Sequence, residues 1–301
     1  MKLLISGGSG LLGHKLVQNG LKKGHEIYSI YNEHPIDNER YIQLNLTDPN
    51  KVFKLVSKLK PEVVIHTAAY TNVDSCEMDR ETAWNVNAKA TKHLALASAD
   101  TKSHFIYVST DYLFDGKKGL YEEDDISSPI NYYGYTKFRG EEFVKANTFE
   151  WCITRPSVIY GWGFKHKLNF ATWLIDNLSK MKEVKILADQ FVSPTLNTNL
   201  SDILLEIAER NTTGILHTAG ASRVSRLDFA QKLSETFNLN TNLIKPTKMT
   251  KILWKAKRPR DSSLNINKTK ALLKVKPLTI DLALDKMREE MTIIDRHRTT
   301  R

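Results

Sequence analysis

The side chains best suited to chemistry lie between residues 104 and 141. Ser109 and Thr110 close an apolar run that begins at Phe105, and Tyr133 stands four residues before Lys137. Four residues make about one helical turn, so on a helix starting near Tyr132 the phenol and the amine share a face. An ammonium beside a phenol favours the phenolate, which lowers the phenol pKa and suits a tyrosine to general acid or base work. Thr110, at the C-terminal end of the predicted strand, can hydrogen-bond the same reacting oxygen. Tyr135 and Arg139 repeat the spacing. An arginine cannot give up a proton and is bulkier, so the lysine pair is the preferred one.

These groups need a scaffold that brings a reactant to them, and the N-terminus reads as one. A short apolar run, residues 2–6, leads into Gly7-Gly8-Ser9-Gly10-Leu11-Leu12-Gly13 and then a helical pattern with Leu12, Leu16 and Leu21. Strand, glycine turn and helix match a dinucleotide fingerprint, Gly7-x-x-Gly10-x-x-Gly13 or Gly8-x-Gly10-x-x-Gly13. Glycines there let backbone approach a pyrophosphate, which the free N–H groups of the helix N-terminus hold. Gly7, Gly10, Leu11, Leu12 and Gly13 are therefore expected at the cofactor.

The second strand should end at the adenosine ribose, and it ends Tyr31-Asn32-Glu33-His34. No aspartate stands at that tip to hold a 2′-hydroxyl, while His34 and Arg40 are near. The reading therefore leans to NADP(H), with Glu33 leaving NAD(H) open. Tyr31 and Asn32, then Asn45 and Leu46 after the third strand, join the cofactor candidates. So do Ala68, Ala69 and Tyr70, where small residues follow the buried strand Val63 to His66; a plain tight turn is the alternative there. A helix expected from about Asp79 to Ser98 carries Asn87, which could bond backbone near the strand ends. Ser109, Tyr133, Lys137 and Arg155 complete the set.

Strand and helix alternate through residue 155. That pattern describes an α/β fold with a doubly wound parallel, Rossmann-like sheet, in which ligands bind at the C-terminal strand ends. Residues 1–156 are read as the dinucleotide-binding domain, with 190–219 returning to it. Residues 157–189 and 220–301 are read as a smaller C-terminal substrate lobe.

Composition excludes several classes. Hydrophobic residues make up 41% and charged residues 26% of the 301, ordinary for a globular protein. No apolar run approaches the roughly 18 residues of a membrane span, and Met-Lys-Leu-Leu-Ile-Ser is too short for a secretory signal. With only Cys76 and Cys152, neither a disulfide framework nor a cysteine zinc site is expected, which suits a cytoplasmic protein. From Leu243 onward there are 16 Lys and Arg against 6 Asp and Glu, which accounts for the whole net charge of +10. Such a region suits an anionic ligand such as a pyrophosphate. Nucleic acid is disfavoured, because Trp254 is the lone aromatic platform among those charges.

The glycine turn, Tyr70-Thr71-Asn72-Val73-Asp74, Ser109-Thr110-Asp111-Tyr112-Leu113-Phe114-Asp115-Gly116, Tyr133-Gly134-Tyr135-Thr136-Lys137, Asp189-Gln190 with Pro194-Thr195, and Arg258-Pro259 with Ser263-Leu264 span nearly the whole chain. Together they resemble the extended short-chain dehydrogenase/reductase family, and within it the dTDP-4-dehydrorhamnose reductase type. The resemblance implies Thr110, Tyr133 and Lys137 as the catalytic trio. Hydride would pass from the reduced nicotinamide to the C4 carbonyl of a nucleotide-linked 4-keto-6-deoxy sugar, with Tyr133 donating the proton. Lys137 would lower the Tyr133 pKa and hold the nicotinamide ribose. Thr110, Asp111, Tyr112, Asn169, Arg258 and Arg260 are expected at the substrate, the two arginines on its pyrophosphate.

Related 4,6-dehydratases place a glutamate after the Thr-Asp pair; Tyr112 stands there, which favours simple carbonyl reduction. Val158 follows Ser157 where rhamnose-forming members often have tryptophan, so the sugar epimer stays open. Some bacterial members bridge a dimer through a metal held by a glutamate early in the first helix. His14-Lys15 stand there instead, and no metal is expected. The chain is also similar to the regulatory beta subunits of methionine adenosyltransferase, whose Arg-Pro-Arg resembles residues 258–260. That leaves a non-catalytic NADP-binding partner subunit as the alternative, and a homodimer or a partner enzyme as the possible assembly.

Overall fold

Along each central strand, successive apolar side chains point to opposite faces, and both faces are covered. Described here from a computed structural model, the chain is defined at residues 1–34, 36, 38–163 and 168–299. The sequence reads as an aromatic, glycine-rich loop at residues 160–164, and its last residue, Phe164, lies outside the described residues. The first half runs β1 (Lys2–Ser6), α1 (Leu11–Lys22), β2 (Glu26–Tyr31), β3 (Tyr41–Gln43), α2 (Pro49–Leu59), β4 (Val63–His66), α3 (Val73–Met78), α4 (Arg80–Trp84), α5 (Ala90–Asp100), β5 (His104–Val108), α6 (Tyr132–Asn147) and β6 (Trp151–Arg155). It continues with β7 (Ser157–Tyr160), α7 (Phe170–Ser179), β8 (Val184–Leu187), β9 (Phe191–Val192), β10 (Pro194–Leu196), α8 (Asn197–Glu209), β11 (Gly214–His217), β12 (Val224–Ser225), α9 (Arg226–Thr236), β13 (Ile244–Thr247), α10 (Asn267–Leu272) and α11 (Ile280–Thr299).

Seven strands form one parallel sheet in the order β11-β6-β5-β4-β1-β2-β3. This is the doubly wound α/β arrangement expected from the sequence. The strand order reverses between β1 and β4, and a crevice opens at such a switch point. Leu3, Ile5, Ile65 and Ile106 pack on one face against Leu12 and Leu16 of α1 and Leu200 and Leu204 of α8. Leu4, Val64, Phe105 and Tyr107 pack on the other against Val52 and Val56 of α2, Leu94 of α5 and Val144 of α6. A separate core joins Tyr160, Leu174, Ile186, Phe229, Leu233, Leu284 and Met287, from β7, α7, β8, α9 and α11.

Two local features shape the crevice. The single helix expected from Asp79 to Ser98 is broken: α4 runs into a π-helical turn, Asn85–Lys89, before α5 begins. π-Turns of this kind commonly re-aim side chains at functional sites. Helix α6 starts at the Asn131 cap, whose side chain accepts the Gly134 N–H at 2.8 Å. It lies so close to the segment after β5 that a Cβ on Gly134 would sit 2.1 Å from the Tyr112 carbonyl oxygen. Among the described residues no helix is long and apolar enough to cross a membrane.

Candidate active site

Thr110 follows β5 directly and caps a short 3₁₀ turn, Asp111–Leu113, by accepting the Tyr112 N–H at 3.2 Å. Its own hydrogen goes to Asp111 Oδ1 at 3.1 Å, and the hydroxyl lies near enough to the Tyr133 phenol to pull its pKa down. Tyr133 and Lys137 sit one turn apart on α6, as the spacing predicts. The electrostatics differ from expectation. Burial is the largest influence on Tyr133 and pushes its pKa upward; the Thr110 hydroxyl pulls the other way. Lys137 is not what tunes the phenol here, because its amine is tied elsewhere. The Nζ donates to the Val108 carbonyl at 2.8 Å and lies 4.1 Å from the centre of the Tyr107 ring. Burial brings Lys137 down to about 7, against the upward pull of Glu141 one further turn along α6. A high-pKa phenol stays protonated at neutral pH, so this arrangement favours giving a proton over taking one.

The glycine loop fits a dinucleotide. Gly7 has φ +74°, a conformation that disfavours any side chain, and an added Cβ would meet Ala68 Cα at 2.9 Å. A Cβ on Gly13 would lie 2.2 Å from the Gly7 carbonyl oxygen. No side chain caps α1 at Gly10, and its first turn carries no acidic residue. The positive end of the helix dipole is thus left for an anion. Beyond β4, Asn87 grips the loop that carries Ala68, Ala69 and Tyr70: its Oδ1 accepts the Tyr70 N–H at 2.7 Å and its Nδ2 donates to the Tyr70 carbonyl at 3.1 Å. Tyr31 and Asn32 end β2 and are tied to the next strand, the Tyr31 carbonyl by the Leu44 N–H and the Asn32 carbonyl by Gln43 Nε2. Asn45 turns its carboxamide oxygen onto Thr47, and the Leu46 carbonyl faces His93 Nδ1. Ser109 is buried beside Thr110.

Next to the phenol lies a cavity of about 290 Å³, lined by Tyr112, Phe170, Trp173, Lys185, Gln190, Arg226, Trp254 and Arg258, among others. The Tyr112 and Tyr133 rings meet edge to face at 6.0 Å. Arg258 is braced by Asp74 at 3.1 Å and lies over the Trp254 ring. Arg226, at the start of α9, lies over Phe170 and interacts with the Tyr112 side chain. Neither this cavity nor a larger hollow of about 510 Å³, bordered by Thr47, Asn85, Lys89, Lys92 and His93, is lined by Thr110, Tyr133 or Lys137. The smaller cavity is the relevant one, because Tyr112 joins it to the phenol.

Three expected ligand residues are engaged elsewhere, and a fourth lies outside the cavity. Arg155 is buried and pairs through two nitrogens with Glu141, at 2.9 and 2.8 Å, so its guanidinium is a brace inside the fold rather than a cofactor ligand. Asp111 is buried too, accepting from Thr110, Ser157 and Ser262, which turns its carboxylate away from a substrate. Asn169 caps α7 through Ala171 and Thr172 and donates to the Gly161 carbonyl. Arg260 is exposed and outside the cavity lining, whereas Arg258 belongs to it. Sequence reasoning missed Arg226, Trp173 and Phe170. Their positions carry no motif, and only the packing of α7 and α9 against β8 brings them to Tyr112.

Fold and site together define a dinucleotide-binding α/β protein equipped for proton transfer. The chain belongs to the RmlD substrate binding domain family, which it matches over residues 1–293. It is similar to the dTDP-4-dehydrorhamnose reductase of Aggregatibacter actinomycetemcomitans, 31% identical over 301 residues, with 95% of this chain and 98% of that protein covered. It is also similar to methionine adenosyltransferase 2 subunit beta of Pongo abelii, 28% identical over 283 residues, covering 90% and 82%. Among solved structures, dTDP-4-dehydrorhamnose reductase from Bacillus anthracis in complex with NADP superimposes with a TM-score of 0.87 at 28% identity, covering 96% of this chain and 99% of that one.

Proposed function

We propose that the protein is an NADPH-preferring reductase of the C4 carbonyl of a nucleotide-linked 4-keto-6-deoxy sugar, with NAD(H) also admitted. The observation that carries this reading is the grouping of Thr110 and Tyr133, with Lys137 one turn further along α6, at the C-terminal edge of the sheet that also bears the glycine cradle. When bound, NADPH supplies the hydride. Tyr133 would give its proton to the C4 oxygen as negative charge develops there, and the Thr110 hydroxyl, turning its one hydrogen from Asp111, would donate to the same oxygen. Placing donors where charge appears is a large part of enzymatic rate enhancement. Lys137, held by the Val108 carbonyl, would take the nicotinamide ribose of the cofactor.

Gly7, Gly10, Leu11, Leu12 and Gly13 would hold the cofactor pyrophosphate at the start of α1. Tyr31, Asn32, Asn45 and Leu46 would flank its adenosine half, and Ala68, Ala69, Tyr70, Asn87 and Ser109 its nicotinamide half. Arg226 and Arg258 would take the substrate diphosphate, with Tyr112, Phe170, Trp173 and Trp254 around the nucleoside. In this reading residues 1–156 and 190–219 hold the cofactor, and residues 157–189 and 220–301 close over the substrate. A cytoplasmic setting suits the two free, buried cysteines.

Incubating the protein with dTDP-4-keto-6-deoxy sugar and NADPH deuterated at nicotinamide C4 tests the proposal. Deuterium at the sugar C4 of a new alcohol is expected. NADPH that binds and never transfers its label would instead support the partner-subunit alternative.

A further inference from the structure

We propose that His66 is a positioning residue for the cofactor: its imidazole joins the hydroxyls of Ser6 and Thr91 into one hydrogen-bond chain that clamps the loop Thr67–Tyr70 at both ends. The inference rests on the reading that this loop faces the nicotinamide half of the cofactor. The sheet register brings the parts together, since Ser6 of β1 pairs with His66 of β4, and His66 with Tyr107 of β5. His66 is fully buried, with Nδ1 at 2.6 Å from Ser6 Oγ and Nε2 at 3.0 Å from Thr91 Oγ1.

The direction of each hydrogen bond follows from counting donors. Ser6 Oγ accepts the backbone N–H of Thr67 at 3.2 Å and of Ala68 at 3.3 Å. Both its lone pairs are then taken, so its own hydrogen goes to His66 Nδ1. Nε2 must therefore carry the ring proton and donate to Thr91 Oγ1. Thr91 passes its hydrogen to the Asn87 carbonyl at 2.7 Å, and the Asn87 carboxamide holds both backbone groups of Tyr70. Burial depresses the His66 pKa to about 3, with Lys137 adding to the effect, so the neutral ring that this chain requires persists at physiological pH.

The chain touches both halves of the site. Ala68, held at its N–H, is the residue against which Gly7 lies, so a shift of this loop would disturb the glycine cradle. On the other side the imidazole stacks on Tyr107 at 5.6 Å, and that same ring carries the Lys137 ammonium. A single unprotonated histidine thus couples the glycine loop, the loop beyond β4 and the amine on α6.

Two measurements test this. Nitrogen NMR of the full chain labelled in its imidazoles should show His66 as the Nε2–H tautomer, unchanged between about pH 6 and 8. The Nδ1–H tautomer, or a titration in that range, would overturn the chain as drawn. His66→Phe keeps the ring stack and removes both hydrogen bonds; the Kd for NADPH should rise about tenfold. His66→Asn restores an acceptor near Ser6 and should recover part of that loss. An unchanged NADPH Kd in a folded His66→Phe protein would show a merely structural histidine. If His66→Phe does not fold, the tautomer decides. Failure of the unaltered protein to bind NADPH would instead sink the reductase reading, and the tautomer would still report on the chain.

Discussion

Lys137 changes charge near neutrality, and its environment gives a signed expectation. Burial has lowered its pKa to about 7, so the ammonium dominates below that value and the neutral amine above it. Tyr133 stays protonated across the same range because burial raises it. If the ammonium is the form that holds the nicotinamide ribose, kcat/KM for carbonyl reduction falls as pH rises through about 7, which a pH–rate profile of the free enzyme reads directly. Arg226 gives a second residue-level expectation. Removing a charged hydrogen-bonding partner of a bound diphosphate costs roughly 1.5–3 kcal/mol. Arg226→Ala should accordingly raise the KM for nucleotide sugar at least tenfold while leaving the KM for NADPH unchanged, as steady-state kinetics with each reactant varied would show.

At the scale of elements, the site depends on how closely backbone segments approach. A methyl at Gly13 would collide with the Gly7 carbonyl, which is backbone and cannot move without opening the turn. Gly13→Ala should abolish NADPH binding while the seven-stranded sheet survives, checked by fluorescence titration beside circular dichroism. The sequence made this element readable because its strand, glycine turn and helix are contiguous, and the same holds for Tyr133 and Lys137 on α6. It did not reveal that α4 passes through a π turn at Asn85–Lys89, since no side-chain period marks such a turn. It also missed β7, β9, β10, β12 and β13, all of them only two to four residues long, whose pairing is set by distant segments. Arg226 and the aromatic wall around it were illegible for the same reason. Arg155, Asp111 and Asn169 carried the right chemistry for ligands, but burial or capping had already claimed them.

Across the whole molecule, buried polar ties brace the sheet: Ser262 of the irregular second half donates to Asp111 beyond β5, and further ties hold β6 to its neighbours. Arg155 of β6 holds Glu141 of α6 in a two-point ion pair, and the same guanidinium donates to the Glu123 carbonyl. Breaking a buried pair by removing one partner costs about 3–5 kcal/mol, because the remaining charge has no counter-ion. Glu141→Ala should therefore lower the unfolding free energy read from a urea titration by that margin, whereas replacing both partners with apolar residues of similar volume should restore much of it. Carbonyl reduction at this site depends on the phenol that α6 presents beside Thr110. Its most direct test is NADPH oxidation by the unaltered protein and by Tyr133→Phe with dTDP-4-keto-6-deoxy sugar, alongside the NADPH Kd of each. Loss of roughly 10²–10⁴ in kcat with an unchanged NADPH Kd is the predicted result; a Tyr133→Phe protein that turns over as fast as the unaltered one would contradict it.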